Sequence, residues 1–171
     1  MTSLSSHIIL TQSAQVLRNS AIHFSEDEIR VSGIFEGTHE SANTIFCDGI
    51  ISPPIISISQ RNNLNTALTN SEFKVLNLNT LHLPLSDLQN TIIDFGTENI
   101  SEINLILQQK SSFLAAVSSI DFILACTVYP LLELNNRNID YNNCRWILWT
   151  DTDLINKQLT QNTEIKELFV K

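Results

Sequence analysis

The chain has 171 residues, 43% hydrophobic and 16% charged, a balance that supports a packed core in one domain-sized unit and excludes a disordered chain. Ten Lys and Arg against eighteen Asp and Glu leave a formal net charge of -8 with no basic cluster, which argues against nucleic acid as a partner, since a phosphate backbone would be repelled. The longest apolar stretch, residues 120–134, is broken by Asp121, Thr127, Pro130 and Glu133, and residues 1–7 lack the basic start and apolar run of a secretion signal, so no membrane partner and a cytoplasmic location are expected.

Residues 7–10, 16–24, 29–35, 44–51 and 55–58 read as short strands, with Ser25-Glu26-Asp27-Glu28 as a hairpin turn and a polar loop around Gly37. Pro53-Pro54 limits the ladder, because proline donates no backbone hydrogen bond. These elements predict a small antiparallel β-sandwich over residues 1–58. Residues 62–70, rich in Asn and Thr, read as a short helix or loop, and 73–79 as a strand. Ser86-Asp87-Leu88 opens a predicted helix that runs to about Phe95, before Gly96. Ile103, Ile106, Leu107, Phe113, Leu114 and Val117 recur at helical spacing and predict an amphipathic helix over 98–119. Continuous apolar runs predict buried strands at 121–128 and 144–150, and Ile165, Leu168 and Phe169 predict a final helix over 163–170. Strands alternating with helices imply a largely parallel open sheet in a truncated α/β part, residues 59–171, which makes the class α+β overall.

Local chemical motifs are sparse. Cys47, Cys126 and Cys144 lie far apart without C-x-x-C spacing and read as buried thiols. His7, His23, His39 and His82 show no H-x-H or i, i+4 pairing, although His39 stands between carboxylates in Glu36-Gly37-Thr38-His39-Glu40. Four glycines leave no phosphate-cradling loop, and G-x-S-x-G is absent. Asp151 and Asp153 place two carboxylates on one loop, which reads as helix-capping charges or as the beginning of a cation site.

Two stretches carry a family resemblance. Phe46-Cys47-Asp48-Gly49-Ile50-Ile51-Ser52-Pro53-Pro54-Ile55-Ile56, preceded by Asn19-Ser20-Ala21-Ile22 and Glu28-Ile29, resembles the opening of the amidohydrolase superfamily of metal-dependent hydrolases and deaminases, including its chlorohydrolase-like members. There a small β-sandwich leads through a D-G-I-I strand into the first strand of a (β/α)8 barrel. Leu134-Asn135-Asn136-Arg137 followed by Ile147-Leu148-Trp149-Thr150-Asp151-Thr152 resembles the last two barrel strands, whose G-T-D-S motif supplies an aspartate to the metal or to the attacking water. Asp151 matches that aspartate. A third, weaker match is Leu76 to Leu81 with the family's L-V-H-N-T-F strand.

The resemblance also marks what is missing. The family's H-x-H metal ligands fall on Ser59 and Arg61, and its ligating histidine on the third match falls on Leu78, with His82 four positions on as a substitute ligand. A hydroxyl is a poor zinc ligand, and a guanidinium brings fixed positive charge to a cation site. Trp149 stands where the family has glycine before T-D. A full barrel needs roughly 200 residues or more, so the part after the sandwich holds at most a barrel remnant or an open sheet.

Three readings follow. The first is a non-catalytic, truncated amidohydrolase-like protein with a structural or regulatory role and no cofactor, partnered by a second copy of itself or by a full-length amidohydrolase paralogue. The second is an active metal-dependent hydrolase or deaminase acting on C-N or C-Cl bonds, with Asp151 and His82 as ligands of zinc or another divalent metal, Asp151 as catalytic group, and the site completed by oligomerisation. The third is an unrelated α/β binding domain.

Overall fold

A computed structural model describes residues 3–36, 43–58, 72–80, 87–136 and 145–168. A six-stranded sheet carries the fold, in the order β3-β2-β1-β4-β7-β8, where β1 is Ser3–Leu10, β2 Val16–Phe24, β3 Val31–Phe35, β4 Thr44–Ser52, β7 Ile147–Thr150 and β8 Glu164–Glu167. All neighbours are antiparallel except β1 and β4. A separate parallel pair joins β5 (Lys74–Asn77) to β6 (Thr91–Asp94). The helices are α1 (Ile100–Gln109), α2 (Ser111–Leu114), α3 (Ser119–Ile123) and α4 (Tyr129–Asn136), with a π-helical turn at Leu124–Val128 between the last two.

The α+β class expected from the sequence holds. The four N-terminal strands, expected as a sandwich, lie in one sheet that curls. Phe24 at the end of β2 and Trp146 just before β7 have ring centroids 6.0 Å apart, although β1 and β4 intervene, and three strand spacings in a flat sheet would separate them by about 14 Å. Leu4, Ile9, Ile22, Phe24, Ile51 and Trp146 form a core on the inside of that curl. The other face, including Ile8, Leu10, Ile50, Ile147, Trp149 and Ile165, packs on β6 and the helices through Ile93, Ile103, Leu107, Phe122 and Ile123.

The bend has a local cause. The β1–β4 register breaks between Ser6 and Ile8, Asn19 of β2 has φ 48°, and Gly49 of β4 has φ 138°, so three adjacent strands depart from regular geometry at one level. Ser6 Oγ donates to the Gly49 carbonyl at 2.6 Å, tying β1 to β4 at the bend. A Cβ on Gly49 would lie 2.1 Å from the Trp149 carbonyl oxygen on β7, so glycine is required both by the backbone conformation and by the close approach of the next strand.

Several segments differ from their sequence reading. Residues 55–58 are buried but form no ladder among the described residues. The helix expected before Gly96 is a turn followed by strand β6: Asp87 Oδ1 accepts from the Gln89 amide, Asn90 has φ 52°, and all four β6 residues are buried. The helix expected over 98–119 starts at an Asn99 cap and breaks at Lys110; its chain then turns, and the Ser119 amide donates to the Lys157 carbonyl at 2.8 Å. The apolar run 121–128, expected as a strand, is helical, because continuous hydrophobicity does not distinguish a buried helix from a buried strand. Its widened turn, with the Tyr129 amide bonded to the Leu124 carbonyl, precedes Pro130, whose ring and missing N–H disfavour a regular α-helical turn there. The final segment is strand β8, not a helix, since Trp149 and Ile165 pair across β7–β8. Among the described residues, parallel pairing in the second part is thus confined to β5–β6, while β7 and β8 extend the first sheet.

Gly49→Ala is expected to destabilise the protein by at least about 2 kcal/mol, since both the left-handed φ and the Trp149 carbonyl oppose a methyl group. Urea denaturation followed by tryptophan fluorescence measures the difference.

Candidate functional site

Asp151 is the first residue beyond β7 and adopts φ 56°, a conformation that Asp tolerates better than most side chains. Its carbonyl accepts from two hydroxyls, Thr160 Oγ1 at 2.6 Å and Thr163 Oγ1 at 3.1 Å, which hold the turn rigidly. The exposed residue borders an open surface pocket of about 500 Å³ whose other walls include the neutral Ser101, Asn104, Gln108 and Asn162 and one further carboxylate, Glu164. His82, Ser59 and Arg61 lie outside the described residues, as do His39 and Cys144. Among the described residues no group of three or more His, Cys, Asp or Glu is placed to hold a metal ion.

The Asp153 carboxylate is engaged within its own loop. Its Oδ1 accepts from the backbone amides of Ile155 and Asn156 at 3.1 and 2.9 Å, and its Oδ2 accepts from Asn156 Nδ2 at 2.8 Å. The loop is closed by reciprocal backbone bonds between Asp153 and Gln158. The Asn156 amide, then its side chain, hold the Asp153 carboxyl below the ordinary carboxylate value, and the Ile155 amide adds to this. The helix capping expected of this pair is not formed, because no helix follows; the Asp153 side chain caps a turn instead.

Trp149 occupies the volume behind that loop. The side chain is fully buried, and its Nε1 donates to Ser52 Oγ at 2.9 Å. Phe122 meets it edge to face with centroids 6.2 Å apart, and Phe95 meets Phe122 in the same way at 6.3 Å. This aromatic row fills the space between β7, α3 and the end of β6 with close-packed rings. Leu78, where the resemblance would place a ligating histidine, is buried in the same core.

A buried carboxylate that no sequence motif marks joins distant segments. Asp94, the last residue of β6, is only 4% exposed, and its Oδ1 accepts from Ser57 Oγ and the Ile58 amide at 3.2 Å and from the Gly96 amide at 3.0 Å. Glu98 Oε1 accepts from the Ser57 amide at 3.2 Å. Two carboxylates therefore serve residues 57 and 58 in place of a neighbouring strand, and they clasp the segment after Pro53-Pro54 to the parallel pair. The sequence signal was an aspartate following two buried isoleucines in Ile92-Ile93-Asp94-Phe95-Gly96, a polar group at a strand's C-terminal end.

The other titratable groups have local roles. His23 Nδ1 lies 2.9 Å from Ser3 Oγ, and His7 Nε2 lies 3.6 Å from Asp48 on the surface. Burial raises the Cys126 thiol well above its ordinary value, with the Asp94 charge adding to the effect, and burial also raises Cys47. Neither thiol has the lowered pKa of a nucleophile. No helix among the described residues is long and apolar enough to cross a membrane.

No protein-family model matches the chain, and no curated protein matches it. Among solved structures, N-acetyl-D-glucosamine-6-phosphate deacetylase from Mycobacterium smegmatis is a weak structural neighbour, 12% identical, with a TM-score of 0.27. The similarity covers 66% of this chain but 30% of that enzyme, and at this score it carries no argument about activity.

Two outcomes test these assignments. Asp94→Ala is expected to lower stability by about 2 to 4 kcal/mol, because buried amides lose their acceptor, while Asp94→Asn recovers much of the loss by keeping an acceptor oxygen; urea denaturation reads both. Asp153 has a lowered folded pKa, so its contribution is present above the unfolded value of 3.8 and lost as pH falls through the folded value. The melting-temperature gap between wild type and Asp153→Ala should therefore hold from neutral pH to about pH 4 and narrow below it.

Proposed function

We propose that this chain is a non-catalytic, truncated amidohydrolase-like protein with a structural or regulatory role. The observation that carries this reading is the fully buried Trp149, which fills with a hydrogen-bonded indole the position where the resembling family has glycine before its metal-binding aspartate. A catalytic metal needs an open coordination position and converging ligands. In this chain the space behind β7 is packed aromatic core, and the pocket beside Asp151 brings one further carboxylate, Glu164, and otherwise neutral groups. The Asp48-Gly49-Ile50-Ile51 stretch supports the family side of the reading, since Gly49 has a demanding structural role at the sheet bend.

A second reading is favoured by the open pocket beside Asp151, which has room for a ligand. In it, the chain is a metal-dependent hydrolase or deaminase acting on C-N or C-Cl bonds, with Asp151 as ligand or base and histidines from another subunit completing the site. Zinc or another divalent metal would supply an activated water. The residues described around Asp151 do not fit that group by themselves.

Native mass spectrometry of untagged protein grown with zinc, manganese and iron tests the choice. The expected spectrum has no stoichiometric metal adduct and is unchanged by Asp151→Asn. A one-to-one metal adduct that disappears in Asp151→Asn would overturn the non-catalytic reading and direct assays to deaminase and hydrolase substrates.

A further inference from the structure

The two edges of the six-stranded sheet are finished differently. β8 reads Glu164-Ile165-Lys166-Glu167, and its outer edge is occupied by the side chain of Asn104 from α1. Asn104 Oδ1 accepts from the Ile165 amide at 2.7 Å and its Nδ2 donates to the Ile165 carbonyl at 3.1 Å, so one carboxamide stands in for a neighbouring strand. Charge and capping together protect that edge from further pairing.

β3, at the opposite edge, reads Val31-Ser32-Gly33-Ile34-Phe35 and has neither protection. It holds no charged residue and no proline, and among the described residues no strand pairs with its outer side. Phe35 is 47% exposed while its ring rests edge-on against His23 at 4.5 Å, which presents the apolar group on a supported surface. A row of unpaired backbone groups beside an exposed aromatic is a template for strand addition.

We propose that β3 is a homodimer interface, in which the β3 strands of two copies pair antiparallel about a two-fold axis at Gly33. The sequence around Gly33 is self-complementary in chemistry. Antiparallel pairing centred there sets Val31 against the partner's Phe35, apolar on apolar, and Ser32 against the partner's Ile34. One residue further out, exposed Arg30, whose Nε lies 3.8 Å from Asp27 of its own chain, meets the partner's Glu36 with its remaining donors, and the symmetry repeats this ion pair at the other end. A net charge of -8 disfavours self-association in general, but residues 30–36 carry one charge of each sign and are locally neutral. Parallel pairing in the same register would instead place arginine beside arginine and glutamate beside glutamate. The register break opposite His23 and Phe24, which leaves Ser32 unmatched on β2, adds twist to the strand, and a two-fold partner carries the same twist. This inference goes beyond the non-catalytic reading by giving the chain a partner, and it stands or falls separately from metal binding.

Sedimentation velocity of the full chain from about 1 to about 200 µM provides the test. The wild type is expected to dimerise within this range. Arg30→Glu and Glu36→Arg should each raise the dimer dissociation constant about tenfold, because each replaces two attractive contacts with repulsive ones. The double variant Arg30→Glu/Glu36→Arg restores opposite charges across the axis and should return the constant to within about threefold of wild type. Circular dichroism checks that these surface variants remain folded. A wild type that stays monomeric throughout, a dimer insensitive to either reversal, or a double variant no tighter than the singles would overturn the proposal.

Discussion

The approach of β7 to β4 at Gly49 is the constraint on which the rest of the fold depends. Ile50 pairs with Trp149 and Ile51 with Leu148, so strands nearly one hundred positions apart in the chain become neighbours in one sheet. That closeness leaves no room for a side chain at Gly49, where a Cβ would strike the Trp149 carbonyl. The same residue sits at the bend of β1, β2 and β4, and the bend brings Phe24 against Trp146. One glycine therefore serves both the joining of the two parts of the chain and the burial of the inner face of the curl.

Trp149 converts this backbone contact into a core. Its indole is anchored to Ser52, on the strand it pairs with, and leads through Phe122 to Phe95 beside the Asp94 clasp. The aromatic row and the carboxylate clasp are complementary solutions to one problem: the chain after Pro53-Pro54 leaves the sheet, and its apolar side chains and backbone amides both need partners. Ile55 joins the aromatic core, while Ser57 and Ile58 donate to Asp94 and Glu98. Carboxylates that look in isolation like catalytic candidates are here occupied by backbone and hydroxyl donors.

The surface around Asp151 follows from the same arrangement. With Trp149 turned inward, the chain must reverse between β7 and β8, and it does so through left-handed backbone at Asp151 and Lys157, two threonine hydroxyls on the Asp151 carbonyl, and the Asp153 cap. Asp151 reaches the surface as part of a turn that the fold needs.

The sequence by itself determined the class, the early strands and the local turns. β2 and β4 were legible because apolar runs ended at unmistakable turn residues, and the amphipathic stripe of Ile103, Ile106 and Leu107 marked α1. Asp153 was legible as a capping side chain, though of a turn and not of a helix, because its bonds are to residues two and three positions away. Only the tertiary structure decided whether the apolar run 121–128 is helix or strand, since residues 122–128 are all buried, and only pairing with β7 made 164–167 a strand. The distant partners of Asp94 were invisible for the same reason: Ser57 and Ile58 lie 37 and 36 positions away, and no periodicity encodes a partner at that separation. Local bonding is written in neighbouring residues, whereas the pairing of β4 with β7, and the core it encloses, exists only once distant segments have met.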